Sequence, residues 1–169
     1  KSSKACKEFL ESVINTKDYP LTRLSSITAS ETAKVMENTY RAVNIAFIDE
    51  WTKYAEYVGI DLFEVTDAIR KRPTHSNLRY PGLGVGGYCL TKDPLFTGAF
   101  TQQVSSQKTD FPLSTIAVAI NRKMTLNIMS EIENKFKNKI HGKKALLIGV
   151  SYKEDTNDTR FSPAEKVYN

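Results

Sequence analysis

The sequence predicts a mainly α-helical protein with one trailing βα unit. Three observations carry that reading. Apolar residues recur by threes and fours over about 30–58, and again over about 113–139. Near the end, the short apolar run ALLIGV is followed by a loop and a helix start. The bulk numbers agree: 169 residues, 40% hydrophobic and 25% charged, with 8 Gly and 6 Pro, exclude disorder, collagen and a disulfide-built miniprotein. No apolar run approaches the ~18 residues of a membrane span. The opening KSSKACKEFLES lacks the apolar stretch of a signal peptide. Two cysteines, Cys6 and Cys89, are too few for a disulfide framework and point to a reducing, cytoplasmic compartment. A net charge of +5 permits an anionic partner without naming one.

Taken in order, residues 3–13 read as a short helix, which Pro20 keeps from continuing. The 30–58 helix starts at Thr28 and Glu31, which have capping-box spacing, and ends at Gly59, suited to a left-handed cap. Met36, Tyr40, Val43, Phe47, Trp51, Tyr54 and Val58 form one stripe, expected to pack into the core or a homodimer. Lys34, Asn38, Arg41, Ile45 and Thr52 fall on the opposite side. Asp61 and Glu64 are spaced to cap the next helix, which stops before Pro73. In the long helix at 113–139, Ile116, Ile120, Met124, Ile128, Ile132 and Phe136 lie about one turn apart. ALLIGV reads as a buried parallel strand, and Ser162-Pro163 as the cap and first turn of a new helix. One strand and one helix start make no sheet. The expected organisation is therefore a helical domain at 1–142 and the first βα unit of a second, cut-short domain at 143–169.

The chemistry concentrates in the irregular stretch RPTHSNLRYPGLGVGGYCLTKDP. Gly82, Gly84 and Gly87 spell G-x-G-x-x-G, but no strand leads in and Pro94 follows closely, so this is no dinucleotide fingerprint. Gly86-Gly87 before Tyr88-Cys89 would present a thiol on an open loop. Lys92 could favour its thiolate, and Asp93 could orient a water. By composition alone the commoner fate of such a cysteine is structural burial. Lys34 and Asn38 are i, i+4 neighbours about 6 Å apart, able to stabilise an oxyanion from one helix face, although a solvated face is the ordinary alternative. Lys153, Asp155, Asp158 and Arg160 follow the ALLIGV run, where open α/β sheets bind ligands. His75 and His141 have no metal-ligand spacing, and the basic stretch at 135–144 has too little aromatic interleaving for nucleic acid.

Together, ETAKVMENTYRAVNIAFIDE, PGLGVGGYCLTKDP and LLIGVSYKEDTNDTRFSP, in this order, resemble the UDP-glucose/GDP-mannose dehydrogenase family of nucleotide-sugar dehydrogenases. The resemblance spans nearly the whole chain. It implies the family's central, dimerising helical domain, of the type found at the C-terminus of 6-phosphogluconate dehydrogenase, plus the start of the UDP-binding domain. It implies oxidation of a UDP-sugar at C6 to the acid with NAD as cofactor, in a cytoplasmic homodimer with no membrane or nucleic-acid partner. By motif, Cys89 would be the nucleophile, Lys34 and Asn38 the oxyanion- and water-holding pair, and Asp93 the proton-transfer carboxylate. Tyr80, Pro81, Gly82, Gly86 and Lys153 would contact the substrate, and Lys92 and Arg160 the NAD. The fragment alone would be inactive.

Two departures stand out. The family's arginine that reaches a partner site has candidates in Arg70 and Arg72, yet the register puts Pro73 nearest. PGLGVGG resembles members acting on UDP-N-acetylhexosamines, whereas YCLTKDP resembles the UDP-glucose type. The rival from another class is a non-catalytic dimerisation module with an inert Cys89.

Overall fold

A computed structural model describes residues 2–105, 109–137 and 139–168. The chain divides into two units, Lys1–Ala33 and Lys34–Asn169. Helices dominate both.

In the first unit, α1 (Ser2–Val13) buries no residue, and its i, i+4 pairs Lys4–Glu8 and Lys7–Glu11 lie in solvent. Helix α2 (Ile27–Val58) begins earlier than the Thr28/Glu31 box implies. Ser26 caps it instead: the Ser26 Oγ accepts the Ala29 N–H at 3.1 Å, satisfying a donor that the first turn leaves free.

In the second unit, α2 ends as expected. Gly59 adopts φ +75°, and the N–H groups of Gly59 and Ile60 both donate to the Ala55 carbonyl. Helix α3 (Leu62–Arg70) is capped by Asp61, whose carboxylate accepts the Phe63 N–H at 2.8 Å. Asp61→Ala should cost about 1 kcal/mol of stability, read from the midpoint of a urea melt. A turn of 3-10 helix at Pro73–His75 follows. After the glycine loop come the one-turn α4 (Cys89–Lys92), a 3-10 turn at Asp93–Leu95, α5 (Phe96–Val104), α6 (Pro112–Lys135) and α7 (Pro163–Tyr168). Ser162 caps α7, accepting the Ala164 N–H at 3.2 Å, as its sequence predicts.

Neither long helix buries its full apolar stripe within this chain. The buried residues of α2 are Asn38, Ala42, Ala46, Ile48, Asp49 and Ala55. The aromatic stripe is left outside: Met36 is 69% exposed and Trp51 45%, with Tyr40, Phe47, Tyr54 and Val58 also exposed. Helix α6 likewise buries Ser114, Ala117, Val118, Asn121, Met124 and Thr125, while Ile116, Ile132 and Phe136 face solvent. Small and amide side chains are what the contact uses. Asn121 Nδ2 reaches from α6 to the carbonyl of Ala42 at 3.0 Å, a buried bond that a bulky face would hold apart. Ile48, Ala55 and Leu62, with Leu78 against them, form the apolar centre.

Residues 143–150 form no strand. Among the described residues there is none to pair with, and Leu146 and Ile148 are each 84% exposed. A ladder needs a partner for its N–H and C=O groups.

Candidate active site

The glycine loop is anchored at both ends. Before it, the Tyr80 hydroxyl donates to Asp67 at 2.5 Å, its ring stacks on Phe63, and Arg70 lies 4.7 Å over that ring. The bond to Asp67, made by the neutral phenol, holds the Tyr80 pKa above its ordinary value. Arg70 is also tied locally, donating to the Leu78 carbonyl. Within the loop, the Leu83 carbonyl accepts from the Thr125 hydroxyl of α6 at 3.4 Å. At its far end Gly87 takes φ +74°, a left-handed conformation that suits glycine, and donates its N–H to the Arg160 carbonyl at 3.2 Å.

Cys89 opens α4 directly after this turn. Its thiol is unpaired and exposed, not sealed in a core. The Asp93 N–H donates to the Cys89 carbonyl, so the two side chains are i, i+4 neighbours. Asp93 in turn holds two groups. Asn38 Nδ2 donates to its Oδ2 at 2.8 Å, and Lys92 Nζ pairs with its Oδ1 at 2.9 Å. Asn38 is 1% exposed, and its Oδ1 has no partner among the described residues, which leaves a fixed, free acceptor beside the carboxylate. Lys34, one turn earlier, pairs instead with Glu37 at 3.1 Å and keeps 60% of its side chain exposed.

Of the residues singled out from sequence, Tyr80, Pro81, Gly82, Gly86, Cys89 and Lys153 line one cavity of about 770 Å³. Asn38, Lys92 and Asp93 form a hydrogen-bonded cluster one α4 turn from the thiol. Lys34 lines no part of the cavity wall. Arg160 belongs to the loop's anchor: it pairs with Asp158 and lies 5.4 Å over the Tyr88 ring. Sequence reasoning passed over Arg41 and Arg79, which bring two more cations to the cavity wall. Arg41 could have been found, since it shares the Lys34–Asn38 face of α2. Arg79 is placed by its backbone N–H, which donates to Asn44 at 3.0 Å. Nothing in its spacing announces it.

Four hydrogen bonds, three from the guanidinium and one from the backbone N–H of Arg160, hold the Asp158 carboxyl down to about 2, against an ordinary 3.8. Because the folded value is the lower one, the pair supports the loop above about pH 4. That support fades as pH falls through about 2. Carbon NMR should show Asp158 ionised well below the pH at which free carboxylates titrate, and Arg160→Ala should return it to the ordinary range.

The described residues form no dinucleotide cradle: no strand leads into the glycine loop, and the helix that opens after it, α4, is a single turn broken by the 3-10 turn at Asp93–Leu95. Lys92 and Arg160 are exposed cations near Cys89, each holding a carboxylate.

Residues 28–123 match the sequence profile described as "UDP-glucose/GDP-mannose dehydrogenase family, central domain". The chain is 38% identical over 167 residues to the UDP-N-acetyl-D-mannosamine dehydrogenase of Methanocaldococcus jannaschii, covering 99% of this chain and 36% of that protein. In fold it is similar to the UDP-D-ManNAc dehydrogenase of Pyrococcus horikoshii, with a TM-score of 0.71, 32% identity, and coverage of 97% of this chain and 38% of that one. It is also similar to the UDP-N-acetyl-mannosamine dehydrogenase of Staphylococcus aureus, with a TM-score of 0.65, 34% identity, and coverage of 85% and 31%. The chain thus spans about a third of the length of the relatives it matches.

Proposed function

Since this chain belongs to the UDP-glucose/GDP-mannose dehydrogenase family, we propose that it is part of a UDP-sugar 6-dehydrogenase that uses Cys89 as its nucleophile. In this reading residues 1–142 are the central domain and 143–169 open the UDP-binding domain. The sugar is an N-acetylhexosamine, in keeping with the names of the similar proteins and with the PGLGVGG loop. The product, a uronic acid joined to UDP, suits polysaccharide biosynthesis in the cytoplasm.

The carrying observation is the Asn38–Asp93 hydrogen bond, which joins residues 55 apart in sequence within one helical turn of an exposed thiol. When bound, NAD would supply the hydride acceptor for the two oxidations that separate alcohol from acid. The chain's own residues handle the carbon between and after. The Cys89 thiolate adds to the C6 aldehyde, and the resulting oxyanion needs a positive or hydrogen-bonding partner. The candidate is Lys34, one turn before Asn38 on α2, which would have to leave Glu37 to reach it. Water then attacks the thioester. Asp93, held by Asn38 Nδ2, takes a proton from that water, and the Cys89 thiolate departs. Lys153, Arg41 and Arg79 offer the cavity positive charge for a diphosphate. Lys92 and Arg160 would face the cofactor. The exposed stripe of α2 is the homodimer contact, and the piece alone is inactive.

An NADH-release screen of the complete protein tests this. UDP-N-acetylhexosamines should give two NADH per acid, ahead of UDP-glucose and GDP-mannose. No NADH from any UDP-sugar would overturn the reading. The non-catalytic alternative predicts no turnover and a Cys89 whose alkylation is indifferent to Lys34→Ala.

A further inference from the structure

The segment 152–163 interlocks with the glycine loop more tightly than a neighbouring surface loop requires. The Gly87 N–H is held by the Arg160 carbonyl at 3.2 Å, and the Tyr152 N–H by the Asp158 carbonyl at 3.1 Å, so the segment is closed on itself as it grips. A Cβ on Gly87 would stand 2.8 Å from the Tyr152 ring. On the other side, the Phe161 ring meets Tyr88 edge-on, with 4.8 Å between centroids and 88° between planes. Phe161 does so at φ +54°, a left-handed conformation that a residue with a bulky side chain keeps only where its surroundings enforce it. The next residue, Ser162, is buried and caps α7, which fixes the backbone behind the ring.

Cys89 is the residue after Tyr88 and is itself exposed. An exposed sulfur has little packing around it, so the turn before it is the nearest fixed structure. We infer that Phe161 and Tyr152 are positioning residues for Cys89, acting through the Gly87–Tyr88 turn. The catalytic meaning rests on the dehydrogenase reading above. The positioning does not.

The test compares Phe161→Asn with Phe161→Tyr in the protein. Asparagine accepts the left-handed conformation without the ring, and tyrosine keeps both. Two quantities are read: amide hydrogen exchange at Gly87, and the rate of Cys89 alkylation by iodoacetamide, followed by peptide mass so that Cys6 is scored apart. Phe161→Asn should speed Gly87 exchange roughly tenfold by opening the turn locally, and raise alkylation about threefold. Phe161→Tyr should stay at the parent values. Exchange at Ala42 and Ala46, buried in α2, should not move in either variant. The inference is overturned if either loop quantity stays within about twofold of the parent in Phe161→Asn, or if the α2 amides loosen equally, which would mark a global effect. Neither readout needs turnover, so a protein that oxidises no sugar would sink the dehydrogenase reading and leave this result standing.

Discussion

Cys89→Ser in the complete protein should lower acid formation from its UDP-sugar by roughly a thousandfold or more, because a serine hydroxyl without an activating base is a poor nucleophile at neutral pH. The thioester cannot form, so oxidation beyond the aldehyde stops. The substitution is nearly isosteric, and the site is exposed at the start of a single helical turn. The melting midpoint should therefore move by no more than the equivalent of about 0.5 kcal/mol, the usual range for a surface change. Product chromatography and a thermal melt on the same preparation separate the two effects. Unchanged acid production would end the assignment of Cys89. An unfolded variant would contradict the exposure reported above.

The second large effect is on stability and comes from a glycine. A Cβ on Gly86 would lie 2.6 Å from the Phe161 carbonyl oxygen and 2.7 Å from the Tyr152 Cβ. One of these neighbours is backbone and the other lies at the root of a side chain, so neither can swing away cheaply. Gly86→Ala should cost about 1–3 kcal/mol, as forced overpacking does, and displace the loop that carries the thiol. Gly82 provides the control. It sits four residues earlier in the same loop, yet a Cβ there meets nothing within 4 Å. Gly82→Ala should shift stability by no more than about 0.5 kcal/mol. Equal losses in both variants would mean that backbone freedom, not space, is what the loop's glycines provide. Urea melts of the two variants decide it.

These contacts also show what could and could not be read in advance. The junction of α2 and α3 was legible because caps and stops are local chemistry: Asp61 and Gly59 do what their side chains, or the lack of one, dictate, whereas α5 was not anticipated and α6 stops at Lys135, short of the expected 139. Cys89, Asp93 and Asn38 could each be singled out by residue chemistry, but that Asn38 meets Asp93 was implied only through a resemblance, since it joins two segments 55 residues apart. Of the two places expected for the α2 stripe, the core of this chain is excluded, for a physical reason. Hydropathy assigns the core to the large residues Phe47, Trp51 and Tyr54, but α2 buries the small Ala42, Ala46 and Ala55, and Asn121 of α6 reaches the Ala42 carbonyl there. The run ALLIGV has the composition of a strand, but a strand is a property of two segments, and composition describes one. The grip of Tyr152 and Phe161 on the loop left no trace in spacing at all.

The outward stripe of α2 has an optical consequence. Trp51 is the chain's single tryptophan, and it stands 45% exposed between Phe47 and Tyr54, with ring centroids 6.1 and 5.5 Å away. All indole emission from these 169 residues therefore originates at this exposed stripe. Any body that settles there dries the fluorophore and moves its emission to the blue, while dilution moves it back. The chain carries its own gauge of association, readable without a label.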